Sequence, residues 1–161
     1  METLHNGFRL ELSANAFPLS TDSVALSGFV RLSKSANVLD LGSGCGTLGL
    51  LLCAAHPNCT VTGIELDEAA HEMALKNAQT NGIANRLTSI CADLKTISSF
   101  LTAGSFSCCV SNPPYFSGGP ESRSVPLARR QDACGMDALM AAAAWALKYG
   151  GDCDNWRGFV A

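Results

Sequence analysis

The sequence carries little charge. Asp, Glu, Lys and Arg make up 16% of its 161 residues, and their formal sum is −3. So weak and slightly acidic a balance gives no whole-molecule attraction for nucleic acid, though it leaves room for a local basic patch. No apolar run approaches the roughly 18 residues that span a bilayer. The opening METLHNGFRLELSANAF carries polar residues throughout and has no apolar signal-peptide core. A cytoplasmic protein with no membrane partner is expected. No two of the eight cysteines form a C-x-x-C pair. Most of them sit inside apolar runs, where cysteine acts as a small hydrophobe. Neither a metal site nor a disulfide framework is expected, and reduced thiols fit the cytosol.

What is present is a globular composition, 47% apolar, in a chain long enough to bury roughly 70% of its unfolded surface as one domain. The expected organisation is an N-terminal arm and helix over 1–36, a core over 37–151 and an atypical tail over 152–161. Residues 8–19 read as a strand-like arm. STDSVALSGFVRLS reads as a helix capped by Ser20 or Thr21, with Val24, Leu26, Val30 and Leu32 as apolar positions. Four buried strands follow, NVLDL, CTVTGIEL, RLTSICAD and SFSCCVSN. Helices alternate with them: TLGLLLCAAH, EAAHEMALKNAQTN with Asp67 as its cap, LKTISSFLTAG, and alanine-rich QDACGMDALMAAAAWALKYGG. This alternation predicts an α/β fold with a parallel central sheet covered by helices on both faces. Ligands in such sheets bind at the carboxyl ends of the strands. The residues that end strands are therefore the candidates.

DLGSGCGTLG sets Gly42, Gly44 and Gly46 between a strand and a helix, after Asp40. Glycines there admit close backbone approach, and the helix start offers N–H groups to an anion. The alternative is a tight turn that needs glycine only for its shape. Residues 44–49 also fit G-x-G-x-x-G, which keeps a dinucleotide open. Glu65 lies about 20 residues further on, where it can take ribose hydroxyls of either kind of cofactor. Asp93 can accept a hydrogen bond from an adenine amine, or cap the helix that follows it.

SNPPYF ends the fourth strand. Pro113 and Pro114 have no N–H and hold the backbone stiff, so the segment presents carbonyl acceptors. Asn112 adds a side-chain acceptor, and its NH₂ can be tied elsewhere. Tyr115 and Phe116 supply flat faces for stacking. Together they make a clamp for a planar NH₂ group. Downstream, SRSVPLARRQ gathers Arg123, Arg129 and Arg130. On charge alone these read as a solvated loop.

VLDLGSGCGTLG, GIELD, CAD and SNPPYF resemble the successive motifs of class I S-adenosylmethionine-dependent methyltransferases of the N-P-P-Y type. FPLSTDSVALSGF and ARRQDACGMDALMAAAAWALKYGG resemble segments of the bacterial adenine-N6 methyltransferases acting on valine tRNA, in the small methyltransferase group. The likeness runs over about residues 8–151. It implies a Rossmann-like fold, S-adenosyl-L-methionine as cofactor and adenine N6 in tRNA as acceptor. On that resemblance Gly42, Gly44 and Gly46 hold the methionine end, Glu65 the ribose and Asp93 the adenine amine. Asp40 and Asn112 belong to the same cofactor set. Asn112, Pro113, Pro114 and Tyr115 serve the target amine. Tyr115 and Phe116 meet the base, while Arg123, Arg129 and Arg130 meet tRNA or another nucleic acid. Glutamine N5 methylation of a release factor is the second reading and a nicotinamide oxidoreductase the third. A cofactor-binding fragment without catalysis is the alternative from another class. After KYGG the family continues with further buried strands, whereas DCDNWRGFVA is polar. The C-terminal strands are expected to be missing, which would leave the fourth strand as an exposed apolar edge.

Overall fold

The structure, a computed structural model, describes residues 2–4, 7–14, 16, 18–112, 136–148 and 159–160. Two short strands, β1 (Glu2–Thr3) and β2 (Arg9–Leu10), pair antiparallel at the start of the chain. The helix α1 (Thr21–Phe29) leads into β3 (Asn37–Leu41), α2 (Thr47–Ala55), β4 (Thr60–Glu65), α3 (Glu68–Thr80) and β5 (Leu87–Cys91). A 3₁₀ segment (Leu94–Ser99), β6 (Cys108–Val110), α4 (Met136–Ala146) and β7 (Phe159–Val160) complete the described elements. The five longer-range strands form one sheet in the order β5-β4-β3-β6-β7, and every neighbouring pair is parallel.

Strand β3 is at the centre because Val38, Leu39, Asp40 and Leu41 are all buried, as in a strand covered on both faces. Side chains alternate between two cores. Val38, Val61, Leu87, Cys108 and Val110 pack with Leu48, Leu50 and Leu52 on one face. Leu39, Leu41, Ile64 and Cys109 pack with Leu94, Ile97, Ala142 and Ala146 on the other. The chain builds outward from β3 to β5, then returns to the opposite side of β3 with β6. The carboxyl ends of β3 and β6 therefore flank the point where the strand order reverses, which is where open α/β sheets open a crevice.

Four expectations change. The helix expected over 94–104 is only the 3₁₀ segment. Thr96 Oγ1 donates to the Asp93 carbonyl (2.9 Å) and Ser99 Oγ to the Thr96 carbonyl (2.7 Å), local bonds that compete with an α-helical ladder. The N-terminal helix ends at Phe29 rather than near residue 33. Val24, expected on its apolar side, is exposed, and the helix's buried residue is Ser23. The fourth strand is not an edge: Phe159 pairs with Cys109 and Val160 with Val110, both parallel. The β-forming dipeptide Phe159-Val160, beyond the polar stretch, supplies that strand. Among the described residues, no helix is long and apolar enough to cross a membrane.

Candidate functional site

The turn after β3 is built on left-handed glycines. Gly42, Gly44 and Gly46 have φ of 74°, 54° and 79°, a region costly for any residue with a Cβ. They differ in what surrounds them. A Cβ at Gly42 or Gly44 would meet nothing within 4 Å, so those two border open space. A Cβ at Gly46 would come within 3.2 Å of Ala74 Cβ, so there glycine lets the start of α2 approach α3. Gly46 caps α2 without a side-chain bond, which leaves first-turn N–H groups for a ligand.

Glu65, at the end of β4, holds this turn in shape. Its Oε2 accepts from Gly44 N–H (2.7 Å), and its Oε1 accepts from Leu66 and Asp67 N–H (2.8 Å each). A carboxylate has about four acceptor positions, so one remains for a ligand hydroxyl. Asp40 lies beneath the turn at 2% exposure, and its Oδ2 has no hydrogen-bond partner; the buried Ser43 Oγ has none either. Burial, and then the negative charge of Glu65, push the Asp40 carboxyl up to about 7. Asp93 caps the 3₁₀ segment by accepting from Lys95 N–H at 2.9 Å. The structure thus shows the capping role, on a half-buried carboxylate at the carboxyl end of β5.

Asn112 follows β6, half-buried. The preceding Ser111 is fully buried and its Oγ donates to the Leu41 carbonyl (2.7 Å). That bond fastens the end of β6 to the residue before Gly42, so Asn112 and the glycine turn occupy adjacent strand ends. The Asn112 Nδ2 donates to Ser23 Oγ at 2.9 Å. That bond ties up the amide NH₂. Pro113, Pro114, Tyr115, Phe116, Arg123, Arg129 and Arg130 lie outside the described residues.

The sequence reading missed a second set of residues at the turn. Asn77 is 1% exposed on α3. Its Oδ1 accepts from Glu11 N–H (2.9 Å), and its Nδ2 donates to the carbonyls of Glu11 (2.8 Å) and Cys45 (2.9 Å). One helical turn on, Asn81 pairs its amide with Arg9 N–H and C=O, both at 2.7 Å. Two side-chain amides at i, i+4 thus bond alternate residues of the arm as a neighbouring strand would. Ser13 N–H donates to Cys45 Sγ at 3.3 Å, which carries the arm across the turn. The available signal was two asparagines at helical spacing beside the buried alanines 70, 74 and 78, where poor helix formers need a reason. Asn77→Ala strands buried partners on both the arm and the turn. It should lower stability by about 1–3 kcal/mol, read from the midpoint of urea unfolding. The half-buried Asn81→Ala should cost less.

Comparison with known proteins follows the same outline. The model of the family described as "Methyltransferase small domain" matches residues 23–153. The tRNA1(Val) (adenine(37)-N6)-methyltransferase of Shewanella halifaxensis (strain HAW-EB4) is 34% identical over 137 residues, 84% of this chain and 55% of that protein. The protein of the same description from Haemophilus influenzae (strain PittEE) is 36% identical over 115 residues, 70% of this chain and 48% of its own. The chain thus spans about half the length of the curated relatives it matches. Among solved structures, an S-adenosylmethionine-dependent methyltransferase from Thiobacillus denitrificans, in complex with S-adenosyl-L-homocysteine, superposes with a TM-score of 0.59 at 23% identity. The superposition covers 86% of this chain and 49% of that one. It shows the shared Rossmann-like fold.

Proposed function

Because the chain belongs to the Methyltransferase small domain family, we propose that it is an S-adenosylmethionine-dependent N-methyltransferase acting on adenine N6 in tRNA, in the cytoplasm. The observation that carries this reading is the pairing of two devices at adjacent strand ends. One is a turn of left-handed glycines, open at Gly42 and Gly44, beside Asp40 and Glu65. The other is Asn112, its NH₂ group held by Ser23. The relatives' description as tRNA adenine-N6 methyltransferases supports the acceptor.

The residues present fit the cofactor. A buried carboxylate oxygen without a donor, on Asp40, suits a ligand that carries positive charge. The open sides of Gly42 and Gly44 leave room for a backbone-like amino acid end. Glu65 would take a ribose hydroxyl with its remaining acceptor position, and Asp93 the adenine amine. When bound, S-adenosylmethionine supplies an electrophilic methyl group. The protein's part is positioning and electrostatics. An exocyclic amine has its lone pair drawn into the ring. The Asn112 Oδ1 and the Pro113 carbonyl would accept hydrogen bonds from the amine's hydrogens, returning density to the nitrogen and fixing its direction. Tyr115 and Phe116 would stack on a base taken out of its own stack, and Arg123, Arg129 and Arg130 would meet backbone phosphates.

S-adenosylhomocysteine should raise the melting temperature, with about 2.7 kcal/mol of stabilisation at a hundredfold excess over Kd, and NAD should not. Gly44→Val should lose this response, because its φ of 54° is strained for valine and the side chain would enter the open space. Mass spectrometry of digested tRNA should then show N6-methyladenosine after incubation with protein and cofactor. Stabilisation by NAD alone would reject the reading.

A further inference from the structure

Helix α1 buries a serine, while of its large apolar residues only Leu26 packs against the core. Ser23 is 7% exposed, whereas Val24 is 37% and Phe29 76% exposed. A hydroxyl as the one buried side chain of a helix needs a polar reason. Ser23 Oγ has two partners: Asn112 Nδ2 at 2.9 Å and Ser20 Oγ at 3.1 Å. Ser20 Oγ also accepts from Ser23 N–H at 3.1 Å, as the cap of α1.

We infer that Ser23 is a positioning residue for Asn112, holding its amide so that the carbonyl oxygen and not the NH₂ faces the substrate amine. The bond spans 89 residues of chain and joins the N-terminal helix to the end of β6. Asn112 has one acceptor and two donors on a planar fork. With Nδ2 committed to Ser23, Oδ1 occupies the other prong. The Ser23 hydroxyl that accepts from Asn112 also lies 3.1 Å from Ser20 Oγ and can donate its own proton there. With that proton so placed, the donors run in one direction from Asn112 to the helix cap, and each polarises the next. A turned amide would set its NH₂ against the NH₂ of the substrate, donor against donor. This assignment rests on the methyltransferase reading above and adds to it the residue that orients the acceptor.

Ser23→Ala should slow methyl transfer about tenfold, the worth of one neutral hydrogen bond, with cofactor affinity unchanged. Ser23→Thr keeps the hydroxyl and should restore the rate. In the Asn112→Ala background, Ser23→Ala should cost nothing further, because nothing remains to orient. A structural role alone would lower the melting temperature and leave turnover per folded molecule intact. A readout free of turnover is the side-chain ¹⁵N amide resonance of Asn112. Its NH₂ protons should exchange slowly in the parent and in Ser23→Thr, and at least several-fold faster in Ser23→Ala. If the full chain methylates no amine, the functional reading fails and this resonance still decides the coupling. Parent turnover by Ser23→Ala, or an Asn112 amide indifferent to the substitution, would overturn the assignment.

Discussion

Asn112→Ala is expected to reduce methyl transfer by about 10²–10³, the usual loss when one preorganised polar contact to a transition state is removed. Cofactor affinity should fall far less than the rate, since the glycine turn, Glu65 and Asp40 on other strand ends keep the rest of the cofactor set in place. The structure sharpens this expectation. Ser111 Oγ anchors the end of β6 on the Leu41 carbonyl, so the backbone at residue 112 keeps its place when the side chain is cut. Ser23 Oγ loses one partner and retains Ser20 Oγ. The variant should therefore fold, and its defect should lie in kcat. Single-turnover transfer with saturating cofactor, beside a thermal-shift titration of the same sample, separates the two quantities. Transfer at the parent rate would make the end of β6 a structural stop, with no part in amine recognition.

The elements that could be read from the sequence are those whose signal is local. Strand β3 coincides with the apolar run at Asn37–Leu41, because a strand covered on both faces is hydrophobic throughout. Helix α3 begins at Glu68 behind the expected Asp67 cap, whose side chain accepts from Ala70 N–H. The glycines of the turn take the positive φ their spacing called for. The residues missed act across long separations. Asn77 and Asn81 bond the arm over 66 and 72 residues, and Ser23 reaches Asn112 over 89. No window of sequence contains both ends of such a bond. Polar residues on the buried side of a helix are its sole trace. Strand β7 escaped for another reason. Two residues suffice to extend a sheet when the neighbour already presents its backbone groups, and so short a run has no periodicity to detect.

Asp40→Asn is expected to raise stability in alkaline solution and to weaken cofactor binding in the same step. The Asp40 carboxyl is wholly buried, with one oxygen lacking a donor. Burial first, and then the charge of Glu65 on β4, lift it from 3.8 to about 7. Among the described residues the Cys109 thiol on β6 also lies near it, and burial keeps that thiol in its neutral form. The folded state therefore holds a proton that the unfolded state releases near pH 4. Stability from this group is full below that pH and is lost as pH rises through 7. The gap between 3.8 and about 7 corresponds to at most about 4 kcal/mol above pH 8. In Asp40→Asn the fall between pH 4 and 8 should flatten, and the urea midpoint at pH 8 should exceed that of the parent. Binding runs the opposite way. The ammonium group of the cofactor's amino acid end needs the ionised carboxylate, so S-adenosylhomocysteine affinity should drop about tenfold for each pH unit below 7, and binding should release a proton. Asp40→Asn should bind weakly at every pH. A variant that kept the parent's pH slope would place the titrating group elsewhere. One that bound with parent affinity would mean that the orphaned oxygen beneath the turn has no part in holding the cofactor.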